Sequence, residues 1–173
     1  MVRYRRNFVP GGTYFFTVTL ADRSSTALVD HVDLLRSSFR HARRERPFGV
    51  EAIVILPDHL HVIMTLPDGD TDFPGRWRRI KSLFSHGLAT RLPLRPDTRG
   101  RYGIWQRRFW EHTIRDDDDL VRHVDYVHIN PVKHGYVGRV RDWPYSSFHR
   151  YVRDGLLPLD WAGDAEPGAY GER

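Results

Sequence analysis

No cysteine occurs in the chain, which excludes a disulfide scaffold, thiolate metal sites and a cysteine nucleophile together. Long hydrophobic runs are missing too. Stretches such as Ala52 to Leu56 are strand-sized, whereas a membrane-crossing helix needs ~18 apolar residues in succession. The basic opening Met1-Val2-Arg3-Tyr4-Arg5-Arg6 is not followed by an apolar region. Neither a secretory signal nor a membrane partner is therefore expected, and a cytoplasmic location is. The sequence shows no internal repeat, and low complexity is confined to Asp116 to Asp119.

What is present fits one soluble domain. The 173 residues give room for a single core, and 40% hydrophobic against 28% charged residues is the balance of a folded chain. Charge is unevenly spread. The net is +5, but Asp154, Asp160, Asp164, Glu166 and Glu172 face only Arg173 after residue 153, so residues 1–153 carry 26 basic and 17 acidic side chains, or +9. Such an excess is the footprint of a polyanion binder, and equally that of a merely soluble basic protein.

Thr13 to Leu20 (TYFFTVTL) is aromatic and β-branched and follows Pro10-Gly11-Gly12, which predicts a strand. Asp30 is placed to cap a helix with Val32, Leu35, Phe39 and Ala42 at helical spacing, and Pro47 stands beyond its end. Val50 to Leu56 and His59 to Leu66 read as a hairpin around Pro57-Asp58. Asp72 and Pro74 open a second helix with Trp77, Ile80, Phe84 and Leu88 on one stripe, and Gln106 to Ile114 reads as a fourth strand. The order strand–helix–strand–strand–helix–strand is that of α+β, ferredoxin-like split βαβ sandwiches with an antiparallel sheet. One extra C-terminal helix is expected from about Asp116 to Asn130, closed by Pro131. Its acidic start suits the positive end of the helix dipole better than a metal cluster, because consecutive residues splay around a helix.

Chemistry has two places to sit. His59 and His61 are two apart on a predicted strand, so their imidazoles share a face ~7 Å apart, half a metal site. Alone, the pair reads equally as two histidines flanking a core leucine. On the last helix Leu120, Val124 and Val127 form an apolar stripe, with Tyr126 turned away from it beside His123 and Asn130. An aromatic there either docks on another element or is presented to a ligand. Asn130, at i+4 from Tyr126, is either its neighbour or a helix-terminal residue before Pro131.

Several linked segments carry a family resemblance. Ile55-Leu56-Pro57-Asp58-His59-Leu60-His61 resembles the His-hydrophobe-His (HUH) motif of single-tyrosine transposases. Trp105-Gln106-Arg107-Arg108-Phe109-Trp110-Glu111-His112, Tyr126-Val127-His128-Ile129-Asn130-Pro131-Val132-Lys133 and Trp143-Pro144-Tyr145-Ser146-Ser147-Phe148 resemble the REP-associated tyrosine transposase branch. The similarity runs from about Tyr4 to Tyr151, which implies a transposase domain over 1–151 and an acidic tail over 152–173.

By that resemblance Tyr126 is the nucleophile, and His59, His61 and Asn130 are metal ligands. Asp58 stands where family members usually show asparagine, either in the second shell or, as preferred here, as a turn cap. The implied reaction is single-strand DNA cleavage and strand transfer through a 5′-phosphotyrosine. The implied substrate is a hairpin of the repetitive extragenic palindrome (REP) type, and the implied acting form is a monomer, although insertion-sequence relatives are dimers. Two imidazoles and an amide oxygen without thiolate favour Mg²⁺ or Mn²⁺. A phenol with pKa near 10 needs help to ionise, from nearby positive charge, the metal or a base such as His123. Arg76, Arg78, Arg79 and Lys81 on the second helix, and Arg107 and Arg108 beside Trp105, Phe109 and Trp110, are the expected single-strand contacts. The competing reading is a non-catalytic ferredoxin-like nucleic-acid-binding module, which has no need of Tyr126 or the histidine pair.

Overall fold

A computed structural model describes residues 6–163. The expected basic residues Arg3 and Arg5 and the acidic Asp164, Glu166 and Glu172 lie outside the described residues. In chain order the elements are β1 (Thr13–Thr19), α1 (Ala27–Asp30), α2 (Val32–Glu45), β2 (Gly49–Ile55), β3 (His59–Thr65), α3 (Phe73–Arg91), β4 (Trp110–Thr113), α4 (Asp117–Lys133) and α5 (Phe148–Arg153), with a 3₁₀ turn at Val140–Asp142 before α5. The sheet order is β2-β3-β1-β4 and every pairing is antiparallel. This is the split βαβ sandwich the element order predicts.

Side-chain alternation sorts the two faces of the sheet. Tyr14, Phe16 and Val18 of β1 and Leu60, Val62 and Met64 of β3 join α2 and α3 in the larger core. Phe15 and Ile63 point the other way, towards α4, together with Ala52 and Val54 of β2. The histidines of β3 share that second face, because His61 pairs in register with Thr17 and His59 with Thr19.

α3 follows its sequence signals closely. Asp72 caps it by accepting from Gly75 N at 2.8 Å, Pro74 sits in its first turn, and Trp77, Ile80, Phe84 and Leu88 are all buried. At α2 the signal misleads. Asp30 ends the short α1, where it accepts a hydrogen bond from Thr26 Oγ1 at 2.6 Å, and α2 begins after His31. β4 is shorter than Gln106 to Ile114. Gln106 N still donates to Thr19 O at 3.0 Å, but Arg107 and Arg108 stay exposed and Phe109 turns to pack on Phe16, 5.7 Å between ring centroids. The chain rejoins the sheet only at Trp110.

α4 also departs from expectation, and with consequence. Pro131 lies inside the helix, which runs on to Lys133. Proline removes one N–H and its bond but here does not stop the helix. The stop comes at Gly135, in the left-handed region at φ 73°. Tyr136 N donates to Pro131 O and Gly135 N to Val132 O, both at 2.9 Å, the paired bonds of a Schellman cap.

Nor is α4 the last layer. Residues 143–147 run along the outer edge of β2, with Ile55 N donating to Tyr145 O at 2.9 Å, Ser147 N to Ile53 O at 2.8 Å and Trp143 Nε1 to Ile55 O at 3.0 Å. They cover that edge of the sheet, so packing is what this segment does. The 3₁₀ turn and α5 then bury Ile129 against Val140 and Phe148, with Val152, Leu157 and Trp161 packed alongside. The packed body thus includes residues up to Trp161.

One expected substrate contact is part of this framework. Arg76 is 2% exposed, and its guanidinium donates to Asp70 Oδ2 at 2.7 Å, Asp72 O at 3.0 Å and Pro47 O at 2.8 Å. It ties α3 to the loops before and after the hairpin and is committed there. Removing one partner of a buried ion pair costs several kcal/mol, and Asp70 keeps a third of its side chain exposed, which places this pair at the low end. Arg76→Met is expected to lower unfolding stability by about 3 kcal/mol, measured by urea titration; a change near zero would contradict the structural role.

Candidate active site

Asp58, at the hairpin turn, and β3 together arrange a buried polar cluster against α4. His61 is fully buried and shares a 2.9 Å hydrogen bond between its Nδ1 and Thr17 Oγ1, directly across the β1–β3 ladder. His59 Nδ1 donates to Asp58 Oδ1 at 2.8 Å. Asp58 is itself buried and accepts a second hydrogen bond from Arg23 Nε. Burial would raise its pKa, but the His59 and Arg23 contacts outweigh it and hold the carboxyl below its ordinary value. Asp58 is therefore not merely a turn cap. It orients an imidazole, the usual role of a carboxylate behind a metal-binding histidine.

The two rings stand edge to face with centroids 5.1 Å apart. Both Nδ1 atoms are engaged with protein neighbours, so Nε2 is the atom each ring would offer to a cation. The donor set of two imidazoles and the buried Asn130 amide, with no thiolate, fits a divalent cation such as Mn²⁺ or Mg²⁺.

Tyr126 arrives from α4. Of the two readings open for an aromatic off the apolar stripe, it docks on another element, the sheet. It is 2% exposed, its ring lies 5.3 Å from His61 edge to face, and Phe15 flanks both rings at 6.0 Å and 5.4 Å. A wheel assigns one apolar stripe, whereas α4 is covered on two sides and buries more than a stripe. Asn130 follows one turn later, fully buried.

Lys133, two turns after Tyr126, was missed by sequence reasoning. Its Nζ donates to the Tyr126 hydroxyl at 3.0 Å and lies 4.6 Å from the centre of that ring. The i, i+7 spacing carried the signal, masked by the expectation that Pro131 ends the helix. His134, also unanticipated, stands with its ring 5.2 Å from that of His59. Lys133 and His134 are exposed, so they form the solvent-facing rim of an otherwise buried cluster.

His123 belongs to a different group. Its ring stacks on His112 at 4.6 Å, and its Nδ1 bonds Asp119 O at 2.7 Å. Ligand atoms of His112, Asp119 and His123 lie within 4.8 Å of one another, a spacing compatible with a metal ion. Asp119, however, already accepts from His112 Nε2 at 2.8 Å and from Arg115 N and Nε at 3.0 and 3.2 Å, with Arg122 at 3.4 Å. Two guanidinium groups on the carboxylate make this an ion-pair knot at the start of α4.

The expected substrate contacts divide. Arg78, Lys81 and Arg107 line a groove of about 610 Å³ together with Arg6, Tyr102 and Trp105. Lys81 sits over the Trp105 and Phe109 rings, and burial, helped by the charge of Arg6, pushes its ammonium down to about 8. Arg79 instead pairs with Glu45 of α2 at 2.6 Å, and Arg108 lies outside the groove lining. Groove and tyrosine occupy opposite faces of the sheet, since Trp77 and Phe109 pack in the α2/α3 core and Tyr126 in the α4 core.

Comparison with known proteins gives full-length matches, although no family model matches the chain. The REP-associated tyrosine transposase of Escherichia coli (strain K12) is 50% identical over 173 residues, covering 100% of this chain and 98% of its own. A relative from Haemophilus influenzae, named for the same family, is 47% identical over 169 residues and covered to 96% in both chains. A solved structure of a REP-associated tyrosine transposase bound to a REP hairpin superposes with a TM-score of 0.90 at 50% identity, covering 100% of this chain and 98% of that one.

The Asp119 knot has a pH signature. Burial would raise this carboxyl's pKa from 3.8, but hydrogen bonds from Arg115 and His112 prevail and hold it far below. A carboxylate depressed on folding stabilises the fold above its unfolded pKa, and loses that contribution as pH falls from there towards the folded value. Asp119→Asn is expected to lower the melting temperature at pH 7, with the gap to the unsubstituted protein closing below pH ~4. A gap independent of pH between 7 and 2 would contradict the ion-pair account.

Proposed function

Because the chain belongs to the REP-associated tyrosine transposase family, we propose that it cleaves and rejoins single-stranded DNA at hairpins of the REP type, with Tyr126 as the nucleophile and one divalent cation held by His59, His61 and Asn130. The observation that carries this reading is the Tyr126 ring against the His61 ring within one chain, at 5.3 Å. A phenol and a metal-competent imidazole pair brought together in the interior are a costly arrangement for a mere binding module.

The chemistry follows from these groups. A phosphodiester is an anion and resists attack by another anion. A bound cation would neutralise phosphate charge and polarise the phosphorus. Tyr126 Oη, its proton given up to solvent, attacks phosphorus. The Oη–P bond forms, the P–O3′ bond breaks, and the departing 3′-oxygen takes a proton to become a hydroxyl. The 5′-phosphotyrosine remains a phosphodiester, so another 3′-hydroxyl can displace the phenol and join strands without an external energy source. Asp58 keeps the His59 ring in place throughout.

DNA binding falls to the groove on the other face, where Arg78, Lys81 and Arg107 meet Tyr102 and Trp105. Cations with aromatic edges suit a single strand, for backbone neutralisation and base stacking respectively. A strand held there reaches Tyr126 by passing around an edge of the sheet. Since Tyr126 meets His61 of its own chain, a monomer suffices for catalysis.

The test is incubation with a single-stranded hairpin and Mn²⁺, followed by a denaturing gel. The unsubstituted protein is expected to give a covalent protein–DNA adduct, with none above background for Tyr126→Phe. Cleavage that survives Tyr126→Phe would point to a water nucleophile, and binding without any adduct to a non-catalytic module. Asp58→Ala is expected to raise the Mn²⁺ concentration for half-maximal adduct formation by about 10–100-fold, read from a metal titration; an unchanged midpoint would leave Asp58 as a turn residue only.

A further inference from the structure

We propose that Lys133 is a catalytic residue of this reaction, its ammonium carrying the negative charge that gathers on the phenol oxygen of Tyr126. The inference rests on the reading of Tyr126 as nucleophile and adds to it a residue that neither the HUH pair nor the metal supplies. Three observations support it. Lys133 Nζ donates a 3.0 Å hydrogen bond to the reacting oxygen itself. The ammonium also lies 4.6 Å from the ring centre, so the side chain folds back over the phenol instead of extending into water. And the helical turn that brings it there exists only because α4 passes through Pro131 to its cap at Gly135.

The bland reading is a lysine at a helix C-terminus, favourable to the dipole and worth ~0.3–1 kcal/mol. That role needs no particular direction and is satisfied by a side chain in solvent. Lys133 instead gives a donor to the hydroxyl of a tyrosine that is 2% exposed. Among the described residues, Arg23 is paired with Asp58, and Arg115 and Arg122 with Asp119.

The charge flow makes the position useful in both directions. In cleavage the phenol proton passes to solvent at the exposed rim, and the phenolate oxygen accepts from Lys133 until the Oη–P bond forms and the P–O3′ bond breaks. In rejoining, the incoming 3′-hydroxyl gives its proton to solvent and its oxygen bonds to phosphorus. The P–Oη bond then breaks and the electron pair returns to Oη, where the Lys133 N–H group meets it. A preorganised donor aimed at an oxygen that gains charge is worth far more to a transition state than to the resting protein.

Single-turnover adduct formation at saturating hairpin DNA and Mn²⁺ is the experiment, with Lys133→Met, Lys133→Arg and 3,5-difluorotyrosine at position 126, a more acidic phenol. Lys133→Met is expected to slow adduct formation about 10²-fold, with Lys133→Arg recovering most of the rate and the same melting temperature in all. Difluorotyrosine should accelerate the Lys133→Met protein more than the unsubstituted one, because a better-stabilised phenolate needs less help. An unchanged rate for Lys133→Met overturns the proposal and leaves the nucleophile assignment intact. So does a slow Lys133→Met protein that the fluorinated phenol does not relieve, since that is a structural effect. Failure of the unsubstituted protein to form an adduct at Tyr126 removes both.

Discussion

A helix clamped on two sides determines where the phenol lies. Val124 and Val127 of α4 seat on Phe15, Val54 and Ile63 of the sheet, while Ile129 on its outer side packs with Val140 and Phe148. His128 Nε2 bonds Ser147 Oγ at 2.9 Å, and Ser147 is held to β2 through Ile53 N and O. Burial pushes the His128 imidazole down to about 3, so it serves here as a neutral group. Each fully buried aliphatic or phenyl side chain contributes ~1.5–3 kcal/mol, against ~1 kcal/mol for a typical hydrogen bond. Packing on both sides therefore sets the rotation of α4, and the polar contacts of Tyr126 follow from it.

The sheet then keeps two kinds of chemistry apart. On one face two imidazoles, a phenol and an amide are buried, with Asp58 and Thr17 behind the rings. On the other, arginines, lysine and aromatics line an open groove. Alternation along β1 and β3 enforces the separation, because a one-residue slip would exchange the faces of every side chain. Conditions that suit polyanion binding, exposed and cationic, differ from those that suit a metal-competent buried cluster, and the split lets each persist.

Much of this was legible in the sequence. The element order gave the split βαβ sandwich, Asp72 with Pro74 marked the start of α3, and the His59–His61 spacing put both imidazoles on one face of β3. What was not legible depended on tertiary context. Pro131 reads as a stop because local rules price only the lost N–H, whereas the cap at Gly135 and the packing of Ile129 carry the helix through. Lys133 was overlooked for the same reason. That Tyr126 docks on the sheet is not decided by a helical wheel, because a helix buried on two sides has no single apolar stripe, and Arg76 reads as a surface cation because nothing local reveals that Asp70 and Pro47 close over it. Asp58 read as a cap since its partner Arg23 is 35 residues away.

The central claim is that one chain supplies both the tyrosine and the histidines of one site. Mixing two inactive proteins, Tyr126→Phe and His61→Ala, in equal amounts with hairpin DNA and Mn²⁺ tests it most directly. Each site in the mixture then lacks either its phenol or an imidazole, so no adduct above that of the separate proteins is predicted. Recovery of adduct on the His61→Ala chain would show that the phenol serves a neighbouring chain's histidines, and would contradict the account.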